Sequence, residues 1–242
     1  RVRAIAITPD VVYYGGSFTA VNTVPRDRLA ATRISDGALL NWAPAASGGV
    51  WAMAVAPDLS KVVVGGQFLT LNGSNDPGYG LGAVDAVTGA TLPWEANDIV
   101  RNGGDNGAIN VLETDGSYVY AAGWTFGRSG GTLEGAVKMS WDDGAIQWLE
   151  DCHGDTYSVF PAQEAVYTAS HAHYCGNLPT GFPEGNNTAA FRANAFSQVT
   201  TGTLSREYKG YTNFEGNPAP SLLHWYPYLV QGTYTGQSQA AW

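Results

Sequence analysis

Charged residues are scarce in this sequence, and this limits what the chain can bind. Asp, Glu, Lys and Arg make up 14% of the 242 residues, and the net charge is −9 with only three lysines. An average soluble protein has roughly 25% charged residues. No cluster of Lys and Arg offsets the negative charge. The composition therefore disfavours nucleic-acid backbones and anionic membranes as partners.

Long apolar runs and cysteines are also scarce. No stretch approaches the roughly 18 consecutive apolar residues of a membrane-spanning helix, so the sequence predicts no membrane span. The two cysteines, Cys152 and Cys175, lack the spacing of zinc or thioredoxin motifs. One pair in an acidic chain rich in Gly, Tyr and Trp predicts a disulfide between them, and hence an oxidising, extracellular location. Two unrelated buried thiols are the alternative.

Glycine and aromatic residues are abundant, with 31 Gly, 13 Tyr and 8 Trp. This composition favours short strands and tight turns over helices, and no window shows helical periodicity. Hydrophobic residues make up 44% of the chain, which is enough for a core.

An internal repeat is visible in three kinds of segment that recur in the same order. An alternating strand ending in Pro-Asp occurs at 4–10 and 52–58, with weaker copies at 109–116 and 157–161. A strand ending in small residues follows at 12–18, 63–68, 119–124 and 166–171. A turn then closes each unit at Gly37, Gly89, Gly144 and Gly202, in steps of 52, 55 and 58 residues. The first three turns lead to Trp42, Trp94 and Trp148, whereas the fourth has no tryptophan at that distance.

These patterns predict an all-β fold. Alternating apolar residues give strands with one buried face, and Pro-Asp and Asp-Gly pairs supply the turns. Each unit has about four strands in one antiparallel sheet, which must stack on its neighbours around an axis. An immunoglobulin-like array would repeat nearer to every hundred residues. The prediction is a single β-propeller domain of tandem four-stranded blades, about four blades plus part of another, with units at about 1–47, 48–103, 104–154 and 155–230 and the start of a further unit at 231–242.

The pattern at 14–22 (Tyr-Gly-Gly-Ser-Phe-Thr-Ala-Val-Asn) and at 65–73 (Gly-Gly-Gln-Phe-Leu-Thr-Leu-Asn-Gly) resembles the repeats of secreted bacterial β-propellers of the delta-60 or kelch-like kind. Such repeats often stand beside PKD or LamG-type modules in large exported proteins. The resemblance covers residues 1 to about 204. It implies the propeller fold and an extracellular location, and it carries no catalytic signature.

The fourth unit departs from the pattern with Ser170-His171-Ala172-His173-Tyr174-Cys175. Residues i and i+2 of a strand share a face, so His171 and His173 are expected on one side. A Cys152–Cys175 disulfide would bring His153 towards them, with Asp151 and Asp155 close by. Three imidazoles and a carboxylate could then form a divalent-metal site. The alternative is that these histidines only make hydrogen bonds to neighbouring blades.

No other catalytic motif is present. The acidic pairs Asp142-Asp143 and Glu150-Asp151 could be offered as glycosidase carboxylates, but the first pair falls in a turn that matches Asp36-Gly37.

The segment 205–242 is rich in aromatic residues, interleaved with Gly, Asn and Pro. Aromatic rings with nearby amides suit the apolar faces and hydroxyls of sugars. The candidate ligand-binding residues are Tyr211, Trp225, Tyr226 and Tyr228. The alternative is an insertion that packs on its own aromatic rings.

The sequence therefore favours a non-catalytic extracellular propeller module that binds a glycan or cell-surface polymer. A metal-assisted polysaccharide lyase or hydrolase using His153, His171 and His173 is the first alternative. A structural, protein-docking propeller is the second. Both ends of the sequence look trimmed, so further domains of a longer chain are expected.

Overall fold

The computed structural model describes residues 1–127, 130–182, 190–206 and 210–229. These residues form an all-β structure with no α-helix and one short 3₁₀ turn at Glu95–Asp98, which confirms that the fold is all-β. Within the same ranges, no helix is long and apolar enough to cross a membrane. The predicted unit at 231–242 lies outside the described residues.

The strands follow the chain in order. They are β1 (Val2–Ile7), β2 (Val11–Gly16), β3 (Ala20–Val21), β4 (Val24–Pro25), β5 (Leu29–Arg33), β6 (Val50–Val55), β7 (Lys61–Gly66), β8 (Leu81–Asp85), β9 (Thr91–Leu92), β10 (Gly107–Thr114), β11 (Tyr118–Thr125), β12 (Ala136–Ser140), β13 (Ile146–Glu150), β14 (Thr156–Ala162), β15 (Ala165–Ala172), β16 (Ala190–Ser197), β17 (Gly202–Thr203) and β18 (Pro218–Ala219).

Four antiparallel sheets carry the repeat, one in each of the first four predicted units. Their strand orders are β1-β2-β5, β6-β7-β8-β9, β10-β11-β12-β13 and β14-β15-β16, and two short ribbons pair β3 with β4 and β17 with β18. In the first and fourth sheets, isolated β-bridges stand in place of a regular fourth strand. They join Thr32 to Leu39 in the first sheet and Arg192 to Tyr228 in the fourth.

The register of the first two strands is the same in all four sheets. Ile5 pairs with Tyr14, and the matching pairs are Met53 with Val64, Leu112 with Ala121 and Val159 with Thr168. An irregularity follows at the same place in each first strand, between residues 2 and 4, 50 and 52, 109 and 111, and 156 and 158. A shared bulge position shows that the sequence repeat is also a structural repeat, because bulges re-aim a strand at defined points.

The four sheets pack one on the next, always through the same two faces. We call the face that packs on the following sheet the forward face, and the opposite one the backward face. Tyr13 on the forward face of the first sheet packs with Val62 and Val64 on the backward face of the second. The forward face of the second sheet meets the third in the same way, and Tyr120 of the third packs with Val166 of the fourth.

Small residues in the second strands let successive sheets approach. A Cβ atom added at Gly15 would lie 2.5 Å from Val50 Cγ1, and one added at Gly65 would lie 2.7 Å from Ile109 Cγ2. Both distances are shorter than real contacts, so only glycine fits at these two positions.

Each of the first three units closes with a tryptophan that reaches the following unit. The Trp42 indole N–H donates to the Asp85 carbonyl at 2.9 Å, and that of Trp148 donates to the Gln198 carbonyl at 3.1 Å. Trp94 packs beneath Gly144 of the third unit.

The fourth unit does have its closing tryptophan, which the sequence pattern missed. Leu40 N–H donates to Ala31, and Leu223 N–H donates to Ala195, the equivalent residue of the fourth sheet. Trp225 follows Leu223 by two residues, just as Trp42 follows Leu40. The insertion that carries β17 and β18 separates Trp225 from the turn at Gly202 and so hides the match in the sequence.

Candidate functional site

A cleft of about 590 Å³ opens beside the third sheet. Its lining includes Thr125 at the end of β11, Asp151 after β13, and Glu134 just before β12, with the segment 210–212 on the opposite side. The walls are glycines, threonines, two carboxyl groups and one aromatic ring, which is a polar lining with a single apolar surface.

The disulfide and a tight turn fix the carboxyl side of the cleft. Cys152 and Cys175 are bonded, which confirms the predicted pair, and their Cα atoms lie 4.4 Å apart. The Glu134 backbone N–H donates to Asp151 Oδ1 at 3.2 Å. His153 has φ = 51°, a left-handed conformation that is uncommon for a non-glycine residue. This turn brings His153 Nδ1 to 3.3 Å from Asp151 Oδ2, with both side chains buried.

Two aromatic rings stack on His153. The Tyr211 ring centroid lies 4.1 Å from that of His153 with an interplanar angle of 11°, and Tyr174 lies at 5.9 Å with 9°. Tyr211 also lines the cleft. One predicted ligand-binding residue and one predicted metal ligand therefore meet at this site.

Burial changes the protonation of the acids around the cleft. Burial raises the pKa of Glu134 to about 8, and the nearby Asp151 and Asp155 carboxylates add to that rise. Burial and the Asp151 charge likewise raise the pKa of Glu150 to about 8. Glu134 therefore carries a proton at neutral pH, and its carboxyl can donate as well as accept a hydrogen bond.

A second polar network lies near the cleft, at the start of the fourth sheet. The Tyr157 hydroxyl donates to Asp155 Oδ2 at 3.2 Å and lies 2.6 Å from His171 Nδ1. Burial lowers the pKa of His171 and raises that of Asp155, and each effect is opposed by the charge of the other group. Burial therefore favours the neutral His171 ring, and the hydrogen bond with Tyr157 orients it.

Two of the three histidines proposed as metal ligands are neighbours, because the ring centroids of His171 and His173 lie 5.3 Å apart. His153 is fully buried beside Asp151, which lines the cleft. Across the ranges that the structure describes, no group of three or more His, Cys, Asp or Glu side chains is arranged to hold a metal ion. Metal binding by the three histidines stays a prediction.

The other predicted aromatic residues lie on the fourth sheet. The Arg192 guanidinium lies 4.3 Å from the ring centroid of Phe182, 4.3 Å from that of Tyr228 and 5.9 Å from that of Tyr226, and it donates to the Tyr228 hydroxyl at 2.6 Å. Tyr228 is 71% exposed. Trp225 points to the forward face instead, edge-on to Tyr167 with centroids 5.3 Å apart.

Sequence reasoning missed Glu134 and Arg192, which the structure places at the cleft and at the aromatic cluster. No sequence signal pointed to either, since Glu134 precedes an ordinary strand and Arg192 lies inside another. Asp151 was visible as half of an acidic pair and as a carboxylate near the candidate histidines, and not as part of a ligand cleft.

The comparisons with known proteins add no family. No family model matches the chain, and no curated protein matches it. Among solved structures, it is similar to Kuenenia stuttgartiensis hydrazine synthase, with a TM-score of 0.49, 12% identity and coverage of 90% of this chain and 57% of that one. It is also similar to the computationally designed Ika8 protein, with a TM-score of 0.41, 12% identity and coverage of 88% of this chain and 63% of that one. The chain thus spans less than two thirds of either structure.

Proposed function

We propose that this chain is an extracellular β-propeller module that binds carbohydrate without catalysing a reaction, and that its ligand site is the cleft of Glu134, Asp151 and Tyr211. The observation that carries this proposal is the cleft lining. It combines one aromatic ring, hydroxyl groups and two carboxyl groups in a volume of about 590 Å³.

The propeller part of the proposal is supported by the way the sheets stack. Four sheets with one register pack in a single direction, each forward face on the next backward face. Repeated sheets that contact only their neighbours are typical of propellers. The disulfide supports an extracellular location, because such bonds persist in oxidising compartments.

The chemistry of the cleft suits a neutral sugar. Ligand sites commonly have volumes of roughly 300–1,000 Å³, which includes this one. Tyr211 offers a ring for the apolar side of a pyranose, and it is held in place by stacking on His153. The protonated Glu134 carboxyl can exchange hydrogen bonds with sugar hydroxyls.

Charge argues against acidic polysaccharides as ligands. The chain has a net charge of −9, and the Asp151 carboxylate lies in the cleft wall. A uronic acid at that point would meet a like charge in a partly buried site, which is unfavourable.

The test is calorimetric titration with a panel of neutral oligosaccharides. We expect Tyr211→Ala to abolish binding and Tyr211→Phe to retain most of it, because the ring and not the hydroxyl makes the contact. Tyr228→Ala, at the separate aromatic cluster, is the matched control and should bind as the unaltered chain does. Equal affinity of Tyr211→Ala and the unaltered chain would contradict the proposal.

Incubation of the same ligands with the protein separates binding from catalysis. The proposal predicts unchanged oligosaccharides after prolonged incubation. New reducing ends or unsaturated sugars would show a hydrolase or a lyase instead, and loss of that activity in His171→Ala would favour the histidine-based alternative.

A further inference from the structure

The first sheet differs from the other three in its backward face. The second, third and fourth sheets have buried residues there, such as Met53, which is 7% exposed, Val119 and Val166. The equivalent face of the first sheet carries Ile5 and Ile7, which are 60% and 66% exposed. Ile5 and Met53 hold the same register position, so the same apolar surface is covered in one sheet and open in the other.

The fourth sheet differs in its forward face. In the first unit, Tyr13 and Trp42 pack edge-on with centroids 4.9 Å apart, and the second sheet covers both rings. The Tyr13 hydroxyl donates to the Ala86 carbonyl of that sheet at 2.8 Å. Tyr167 and Trp225 form the equivalent edge-on pair in the fourth unit, yet Trp225 is 41% exposed.

These two faces complement each other because of how the repeat is built. Inside the chain, the forward faces of the first, second and third sheets each pack on the backward face of the next sheet, with the same strand register. The fourth sheet presents an open forward face and the first sheet an open backward face. A contact between them would continue the interface that already joins the first sheet to the second.

We propose that two copies of this chain associate head to tail, the forward face of the fourth sheet in each copy packing on the backward face of the first sheet in the other. The inference rests on the propeller arrangement in the proposed function. Two copies of four sheets make a ring of eight, which falls within the roughly four to eight blades of known propellers. Such a ring closes under two-fold symmetry and leaves neither face exposed.

The repeat also specifies the polar contacts of that interface. Trp42 donates to the carbonyl of Asp85 in the second sheet. Asp85 pairs with Lys61, and Arg33 pairs with Val11 at the same position of the first sheet. Arg33 is therefore the equivalent of Asp85. By this equivalence, the Trp225 indole N–H donates to the Arg33 carbonyl of the second copy. Ile5 and Ile7 of the second copy then pack where Met53 and Val55 pack on the first sheet.

Size-exclusion chromatography with light scattering tests the association. The unaltered chain should show twice the mass of one chain at micromolar concentration. Ile5→Lys places a charge in the apolar contact and should weaken the dimer by about a hundredfold or more, giving monomers. Val87→Lys is the matched control, because Val87 is 82% exposed in a turn away from both faces.

Mixing variants tests the head-to-tail geometry. Trp225→Gln alters the other face, and it should also give monomers on its own. Ile5→Lys mixed with Trp225→Gln should recover dimers, because each mixed pair has one contact with both faces unaltered. If Ile5→Lys does not fold by circular dichroism, Ile5→Thr replaces it.

Three results would overturn the inference. These are a monomeric unaltered chain at high concentration, an open series of masses that grows with concentration, and a dimer that survives both variants. The failure of this inference is separable from that of the proposed function. Oligosaccharide binding to the monomeric Ile5→Lys variant reports on the cleft alone.

Discussion

The junction between the first two sheets is apolar, whereas the junction around the cleft buries ionisable groups, although both are built from the same repeat. At the first junction, Tyr13, Val62 and Val64 form an apolar contact in which the tyrosine hydroxyl and the Trp42 indole both find backbone partners. Around the cleft, Glu150 and His153 are buried beside Asp151, and Glu134 is partly buried. The first arrangement is what a stable stack needs. The second lowers stability, because burying ionisable groups is costly, and such costs mark functional sites.

The largest effect should come from the apolar junction. Phe68 is fully buried between the first two sheets. Phe68→Ala should lower the free energy of unfolding by about 3–5 kcal/mol, because it leaves a cavity in a packed core. Phe18 holds the matching place in the first unit but is only half-buried, so Phe18→Ala is the control with a smaller loss. Chemical denaturation measures the free energy of unfolding of both variants. Equal losses would show that Phe68 is no more important to the core than Phe18.

The disulfide should have the next largest effect, at the cleft. Replacing both Cys152 and Cys175 by Ser should lower the free energy of unfolding by about 3 kcal/mol, since the loop that the bond closes spans a sequence separation of 23 residues. Thermal unfolding with and without the double change measures the loss. Titration of free thiols in denaturant should find none in the unaltered chain. An unchanged melting temperature would mean that the bond does not hold the cleft wall.

The two junctions should also differ in their response to pH. The folded-state pKa of Glu150 is about 8, against an ordinary value of 4.5, so the folded chain keeps a proton that the unfolded chain releases. The stability that this group contributes is complete below about pH 4.5 and is lost as the pH rises towards 8. The free energy of unfolding should therefore decline between pH 5 and pH 8.

The matched variant isolates that effect. Glu150→Gln cannot titrate, so the decline of stability between pH 5 and 8 should become shallower by about 1–2 kcal/mol. Taking the difference between the variant and the unaltered chain removes the opposing contribution of His171, whose lowered pKa favours the folded state as the pH rises through its range. Parallel curves for the two proteins would show that Glu150 is ionised in the fold.

The smallest effect is expected at the exposed aromatic cluster. Tyr228→Phe removes the hydrogen bond from Arg192 but leaves the ring contact. The free energy of unfolding should change by no more than about 0.5 kcal/mol, because Tyr228 is largely exposed. A loss of several kcal/mol in thermal unfolding would show that this cluster belongs to the core.

The sequence predicted the stack better than the site. Strand, turn and glycine signals are local, so the four sheets and the close approach at Gly15 could be inferred from neighbouring residues. The disulfide followed from there being a single cysteine pair. Trp225 was placed among ligand-binding residues because it lies in the aromatic-rich segment 205–242, whereas its register is that of Trp42.

The cleft could not be predicted in the same way. Glu134, Asp151 and Tyr211 come from separate segments, and only the packing of the third sheet against the 210–212 segment brings them together. The histidine pattern correctly predicted that His171 and His173 are neighbours, because strand alternation is local. The stacking of His153 on Tyr211 depends on the turn after Cys152, whose φ no sequence pattern indicated.

The central claim is that a protonated Glu134 in the cleft forms part of a sugar-binding site. Carbon-13 NMR titration of the glutamate carboxyl carbons tests it most directly, with Glu134→Gln to assign the signal. We predict a Glu134 signal that titrates near pH 8 in the free protein and shifts when a neutral oligosaccharide binds. A Glu134 signal that titrates near 4.5 and does not respond to any neutral oligosaccharide would contradict the account.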